Sequence, residues 1–79
     1  MTQFERMTHA FDEIHQAHLR PEQVGQIGME VYKWLSRQYT PQEAVAMVRR
    51  VHGKSERLIA ACYMAYKEAT NEQDRQRAR

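Results

Sequence analysis

Three helix-breaking positions, Pro21, Pro41 and Gly53, divide the 79-residue chain into four segments, and this division constrains the fold most. Proline lacks an amide hydrogen and disfavours the helical conformation in the residue before it, so each proline marks the start of a new helix. Within the segments apolar residues recur every three or four positions, as on one face of a helix. No alternating apolar and polar run typical of a strand is present. We therefore predict an all-α fold, a compact bundle of four short helices.

The first two segments each carry one apolar stripe. The first helix is predicted from about residue 2 to residue 19, and its stripe consists of Phe4, Met7, Phe11, Ile14 and His18. The second helix begins at Pro21, a favourable first-turn residue. Its apolar face consists of Val24, Ile27, Val31 and Leu35, with the aromatic residues Trp34 and Tyr39 at the rim. Gly28 lies near this face, so it is predicted to let another helix approach closely, whereas Gly25 lies further round and lacks such a role.

The third helix has the clearest start signal in the chain, the sequence Thr40-Pro41-Gln42-Glu43. It matches a capping box, in which the Thr hydroxyl and the Glu carboxylate each accept a hydrogen bond from the other residue's amide. The helix is predicted from Pro41 to His52, and Gly53 ends it in the left-handed conformation that glycine adopts without strain. Its inner face is predicted to consist of Ala44, Met47, Val48 and Val51.

The fourth helix, capped by Ser55 and extending to about residue 69, is apolar on nearly all sides between Leu58 and Tyr66. A helix of this kind is buried on more than one side. Either it is the central helix of the bundle, or it is shared with a second subunit. Residues 1–70 are predicted to form a single helical domain. Residues 71–79 form a polar, charged tail that either frays or prolongs the fourth helix.

The small size of the chain favours self-association. A domain of this length buries a small fraction of its surface and is marginally stable. Cys62 is the only cysteine, which excludes a disulfide within the chain, and small scaffolds without such links depend on regular packing or oligomerisation. We predict a homodimer formed through the fourth helix, with the first helix as a further candidate. Tyr63 and Met64, which lie outside the main stripe, are predicted to face the second subunit. The rim aromatics Trp34, Tyr39 and Tyr63 are predicted as candidate anchors of an interface with a protein partner.

Composition also indicates where the protein acts. A single cysteine fits a reducing compartment, the polar start does not resemble a signal peptide, and no apolar run reaches the length of a membrane span. The expectation is a cytoplasmic protein that does not contact membranes.

No catalytic or metal-binding pattern emerges, so we expect neither an enzyme nor a cofactor. His9 and Glu13 are helical neighbours, but two ligands do not make a metal site. The sequence from His52 to Ser55 resembles the end of a phosphate-binding loop but lacks its first glycine and a preceding strand. Cys62 lies on the inner face of the fourth helix, where a cysteine behaves as a small apolar residue.

Charge is distributed unevenly along the chain. Residues 1–30 contain two basic and five acidic residues, whereas residues 31–79 contain ten basic and five acidic residues. The basic cluster, defined as Arg49, Arg50, Lys54 and Arg57, surrounds the junction of the third and fourth helices and is predicted to bind a partner. The favoured function is non-enzymatic binding of another protein, as an adaptor or an inhibitor of a larger assembly. The alternative is a small helix-turn-helix-like regulator that binds DNA through the same cluster. The apolar residues after the turn argue against that alternative, because a DNA-reading helix presents polar side chains there.

Overall fold

The computed structural model describes the backbone of residues 3–77 and the side chains of residues 10–71. This part of the chain forms four α-helices and no strand, so the prediction of an all-α, four-helix fold is confirmed. The helices are α1 (Gln3–Gln16), α2 (Pro21–Ser36), α3 (Pro41–His52) and α4 (Glu56–Arg77). Residues 71–77 belong to helix α4, so this part of the polar tail continues the helix.

The helix starts follow the predicted caps. The amide of Glu43 donates to the Thr40 hydroxyl at 3.2 Å, and the amide of Thr40 donates to Glu43 Oε1 at 3.2 Å, which completes the capping box. The amide of Leu58 donates to the Ser55 hydroxyl at 3.2 Å at the start of α4. Gly53 adopts φ +65° and donates its amide hydrogen to the Arg49 carbonyl at 2.8 Å, which ends α3 as predicted.

Helix α1 ends earlier than predicted, at Gln16 instead of near Leu19. His18, predicted in the middle of the apolar stripe, lies outside the helix with φ +56° and an exposed side chain. The cause is Arg20, which precedes a proline and adopts an extended conformation with ψ 153°. The chain must leave the helical path before that residue. The stripe residues Phe4 and Met7 have side chains outside the described residues.

Helix α4 is the central helix, because it packs against all three of the others. The largest core cluster joins α2, α3 and α4 and consists of Ile27, Val31, Ala44, Val48, Leu58, Ile59 and Cys62. Ile14 and Leu19 add partly buried side chains to this cluster from the N-terminal part of the chain. One of the two predicted placements of α4 is therefore confirmed, and most of its apolar surface is covered within a single copy of the chain.

Two predicted inward residues point outward. Val51 is 77% exposed and Phe11 is 51% exposed. On α3 the line that faces the core passes between Val48 and His52, because His52 contacts Glu30 of α2. Val51 lies off this line and is turned towards solvent. On α1 the inner line passes through the buried Ala10 and the partly buried Ile14, four positions apart, which leaves Phe11 at the edge.

Candidate functional site

The structure brings the basic cluster to one junction but pairs half of it with carboxylates. Arg49 Nη1 lies 3.1 Å from Glu56 Oε1, and Arg57 Nε lies 2.9 Å from Glu13 Oε1 of α1. Arg49, Arg50 and Lys54 line an open depression of about 620 Å³ at the α3–α4 junction. Arg57 does not line it. The cluster is thus divided between this depression and the contact with α1.

The two ion pairs lower the positive charge that the cluster offers to a partner. Both arginines are well exposed, with side-chain exposures of 58% and 78%. Exposed pairs of this kind are weak and exchange partners at small cost. The two partner carboxylates remain close to the cluster, however. Glu56 lies in the first turn of α4, the helix that would enter a DNA groove. A carboxylate in that position repels the phosphate backbone of a duplex.

The predicted rim aromatics Trp34 and Tyr39 form one local cluster at the end of α2. Their rings meet edge to face, with centroids 5.4 Å apart. Lys33 Nζ and Arg37 Cζ lie 5.5 Å and 5.3 Å from the centre of the Trp34 ring. Trp34 is half-buried and packs against the core. Its contacts with neighbouring residues fix the end of α2, which is a structural role.

Tyr63 and Met64, the predicted interface residues of the fourth helix, are both half-buried. Tyr63 packs against the core and also lines a groove with Tyr32 and Tyr66. Neither Tyr63 nor Met64 is among the most exposed large apolar side chains of the described residues. The exposed apolar surface beside them lies where α4 meets α2.

That surface is formed by two grooves that share Tyr66. The first groove runs between α1, the start of α2 and α4, and its lining includes Phe11, Ile14, Val24, Gly25, Tyr66 and Ala69. The second runs between α2 and α4, and its lining includes Tyr32, Tyr63, Tyr66, Lys67 and Thr70. The rings of Tyr32 and Tyr66 lie 6.2 Å apart, centroid to centroid. We call this part of the surface the corner face and define it as Phe11, Gly25, Met29, Tyr32 and Ala69. Gly25 is half-buried and the other four residues are exposed.

The corner face exists because α2 crosses α4 at very short range. A Cβ atom at Gly28 would lie 2.3 Å from Tyr66 Cβ and 2.9 Å from the Cys62 carbonyl oxygen, so only glycine fits at the crossing. Gly25, Met29 and Tyr32 follow one flank of α2 at spacings of four and three residues. Met29 lies one helical turn from Gly25, which lines the first groove, and one turn from Tyr32, which lines the second. It is 54% exposed.

Sequence reasoning missed the corner face. It placed Phe11 in the core and gave Met29 and Tyr32 no role. The signal for the corner face in the sequence is the position of Gly28 within α2. A close helix crossing at this glycine leaves the residues that flank it on α2 beside a concave surface.

The Cys62 thiol is protected by burial. Burial raises its pKa from 9.0 to about 11, and the positive charge of Lys54 opposes part of this rise. Because only the thiolate is an effective nucleophile, Cys62 is a packing residue and not a reactive group.

A thiol reagent should therefore react with folded Cys62 at pH 8 at least about a hundredfold more slowly than with the unfolded chain, from the two-unit difference in pKa. The measurement is the absorbance change of a disulfide reagent with and without denaturant. The folded rate should rise about tenfold per pH unit up to about pH 11. Similar rates in the folded and unfolded protein would show that the thiol is accessible.

The other titratable side chains do not gather into a metal centre. Among the described residues, no group of three or more His, Cys, Asp or Glu side chains is placed to hold an ion. His52 Nε2 contacts the Glu30 carboxylate, and this contact links α3 to α2. The His9 side chain of the predicted His9–Glu13 pair lies outside the described residues.

Comparisons with protein families, with curated proteins and with solved structures give no match to this chain. Within the described part of the chain, none of the helices is both long enough and apolar enough to cross a membrane. The function is therefore argued from the surface of the fold itself.

Proposed function

We propose that this chain is a small non-enzymatic binding protein, an adaptor or an inhibitor of a larger protein assembly, and that it binds protein through the corner face. The observation that carries the proposal is the exposure of Phe11 and Tyr32 beside Tyr66, together with Met29 one turn from Tyr32 on α2. Each of these three side chains is more than half exposed. Homodimer formation and a cytoplasmic location belong to the same proposal.

The chemistry of the corner face fits a protein partner. Contiguous exposed apolar patches mark interaction sites, and the cores of protein interfaces are rich in Tyr, Phe and Met and poor in charge. Among the described residues that line the two grooves, Lys67 alone is charged. Each groove is open and has a volume of about 320 Å³. This is near the lower limit of the ~300–1,000 Å³ found for small-molecule pockets, so the grooves suit the side chains of a protein better than a cofactor.

The alternative, a DNA-binding regulator that uses the basic cluster, has weaker support. Arg49 and Arg57 each contact a carboxylate, and Glu56 occupies the first turn of α4. Arg50 and Lys54 remain as cations without an ion pair among the described residues. Two such cations give few contacts to phosphate, which supplies most of the affinity for duplex DNA.

A pull-down from native lysate, with and without nuclease, tests the proposal. The wild-type bait should retain protein partners, untagged copies of the chain included, and Met29→Glu should lose them. The matched control is Val51→Glu, which places the same charge at an exposed apolar residue on α3 and should retain them. Partners that survive Met29→Glu contradict the proposal. Loss on nuclease treatment or in the double variant Arg49→Ala, Arg50→Ala favours the DNA alternative.

A further inference from the structure

We infer that the depression at the α3–α4 junction is a binding site for a phosphomonoester group, a tetrahedral anion with a charge of about −1.5 to −2 at neutral pH. This site goes beyond the proposed function, because it lies at the basic cluster and shares no residue with the corner face. Three of its six lining residues are cations, and none is acidic or aromatic. The lining consists of Ala46, Arg49, Arg50, Gly53, Lys54 and Ser55.

The charge of the depression matches that of one phosphomonoester. Arg49, Arg50 and Lys54 supply three positive charges. The carboxylate of Glu56, 3.1 Å from Arg49 Nη1, offsets one of them, which leaves a net charge of +2. A phosphomonoester neutralises this charge nearly completely. A carboxylate or a phosphodiester carries a single negative charge and would leave about half of it.

The lining side chains offer the donors that phosphate oxygens need. Arginine presents a planar fork of N–H groups that can bind two oxygens of one phosphate, and lysine adds a compact positive charge. The Ser55 hydroxyl accepts the amide hydrogen of Leu58 at 3.2 Å. Its own hydrogen has no acceptor in the described part of the chain, so it can be donated to an oxygen of the ligand.

Helix α4 begins at this depression, with Ser55 as its N-cap. In its first turn the amides of Glu56 and Arg57 have no carbonyl partner within the helix, and the positive end of the helix dipole favours an anion. This helix end adds to the three cations that carry the assignment. The sequence from His52 to Ser55 resembles the end of a phosphate-binding loop, and its Lys54 and Ser55 both line the depression.

The size and the lining of the depression indicate what carries the phosphate. Its volume of about 620 Å³ exceeds that of a phosphate group and falls within the ~300–1,000 Å³ of small-molecule pockets. A nucleobase would find no aromatic side chain to stack on in this lining. The ligand chemistry that fits is therefore a phosphomonoester on a small, non-aromatic carrier, such as a phosphorylated polyol or sugar.

Titrations of the isotope-labelled chain, followed by the backbone amide NMR signals of Gly53, Lys54 and Ser55, test the inference. Methyl phosphate, the smallest phosphomonoester, should shift these signals saturably at a pH above its second pKa of about 6. Dimethyl phosphate keeps the tetrahedral group but has one negative charge less, and acetate has a single charge. Both should bind at least about tenfold more weakly, because each loses a charge-assisted contact.

Two further probes distinguish the sources of the phosphate. Glycerol phosphate represents a small carrier, and a blocked phosphoserine tripeptide represents a phosphorylated protein. Glycerol phosphate should bind at least as tightly as methyl phosphate, because the depression has room for the polyol. Tighter binding of the tripeptide than of glycerol phosphate would overturn the small carrier.

Variants of the lining residues locate the site. Arg50→Ala on α3 and Lys54→Gln at the junction should each raise the dissociation constant of methyl phosphate at least about tenfold. Glu56→Gln should lower it several-fold, because Arg49 then has no carboxylate competing with the ligand. Arg57→Ala is the matched control. It removes an exposed arginine of the same cluster that does not line the depression, and it should change the constant by less than about twofold.

Three results would overturn the inference. An absence of saturable shifts at the junction excludes the site. Equal or tighter binding of dimethyl phosphate shows that the depression does not select a phosphomonoester, and it favours the DNA alternative, because the DNA backbone is a phosphodiester. Equal weakening by Arg57→Ala and Arg50→Ala shows a general effect of charge. Met29→Glu should leave phosphate binding unchanged, so this inference and the proposed function can fail separately.

Discussion

Replacing Gly28 by alanine should destabilise the protein by about 1 to 2 kcal/mol, even though alanine is the better helix former. The added Cβ would lie 2.3 Å from Tyr66 Cβ and 2.9 Å from the Cys62 carbonyl oxygen, so α2 and α4 must move apart. Overpacking of this kind typically costs about 1–3 kcal/mol and occasionally more. The helix-propensity gain of alanine, about 1 kcal/mol, offsets only part of that cost. Urea unfolding followed by circular dichroism measures the difference.

Gly25→Ala is the matched control, because it makes the same change three residues earlier in the same helix. A Cβ at Gly25 meets nothing within 4 Å. This substitution should stabilise the protein by about 0.5–1 kcal/mol, since alanine loses less backbone entropy in a helix than glycine does. If the two variants change stability in the same direction, the close crossing of α2 and α4 is wrong.

The second large effect is expected for Ile59→Ala, with a loss of about 3 kcal/mol. Ile59 is fully buried in the cluster between α2, α3 and α4. Truncation of such a side chain removes its transfer free energy and leaves a cavity, together about 2–5 kcal/mol. A chain of 79 residues has a total stability of only about 4–12 kcal/mol at the usual value per residue. Ile59→Ala should therefore lower the unfolding midpoint severely.

Val51→Ala provides the comparison for Ile59→Ala, because both positions carry β-branched apolar residues in helices. Val51 is 77% exposed, so its truncation should change the stability by less than about 0.5 kcal/mol. Thermal and urea unfolding of both variants gives the two values. A cost at Val51 as large as at Ile59 would support the inward placement that the sequence predicts and the structure contradicts.

The local signals in the sequence placed the starts of α2, α3 and α4 and gave the central position as one of two alternatives for α4. The cap at Thr40 depends on residues within four positions of one another, so it can be read from the sequence directly. The central position of α4 follows from its apolar character on several sides. Helix α1 was extended too far, because the chain leaves the helical path by His18, which has a positive φ, before the extended Arg20 and Pro21.

The orientations of the helices could not be predicted, and the candidate site depends on them. Periodicity shows which residues share a helix face, but the rotation of each helix about its own axis decides which part of that face meets the core. Val51 and Phe11 point outward for this reason. The same limit applies to the basic cluster, where the partner of Arg57 is Glu13, distant in sequence and brought near only by the packing of α1 against α4.

The corner face depends both on a local sequence signal and on the packing of the helices. Gly28 was recognised in the sequence as a point of close approach, and the structure shows that Tyr66 is the residue approached. The sequence analysis did not predict that Met29 and Tyr32, on the flank of α2 beside that contact, remain exposed. Aromatic and apolar residues left exposed beside a tight helix crossing are the central feature of this account.

The most direct test of the central claim, that the corner face binds protein and forms the homodimer, is hydroxyl-radical footprinting of the purified chain at increasing concentration. Met29 reports on the corner face, and Tyr39, 37% exposed at the end of α2, is an internal reference away from it. The account predicts that the oxidation of Met29 relative to Tyr39 falls several-fold as the chain associates. A ratio that stays constant across that range, with Met29 oxidised as fast as an open side chain, would contradict it.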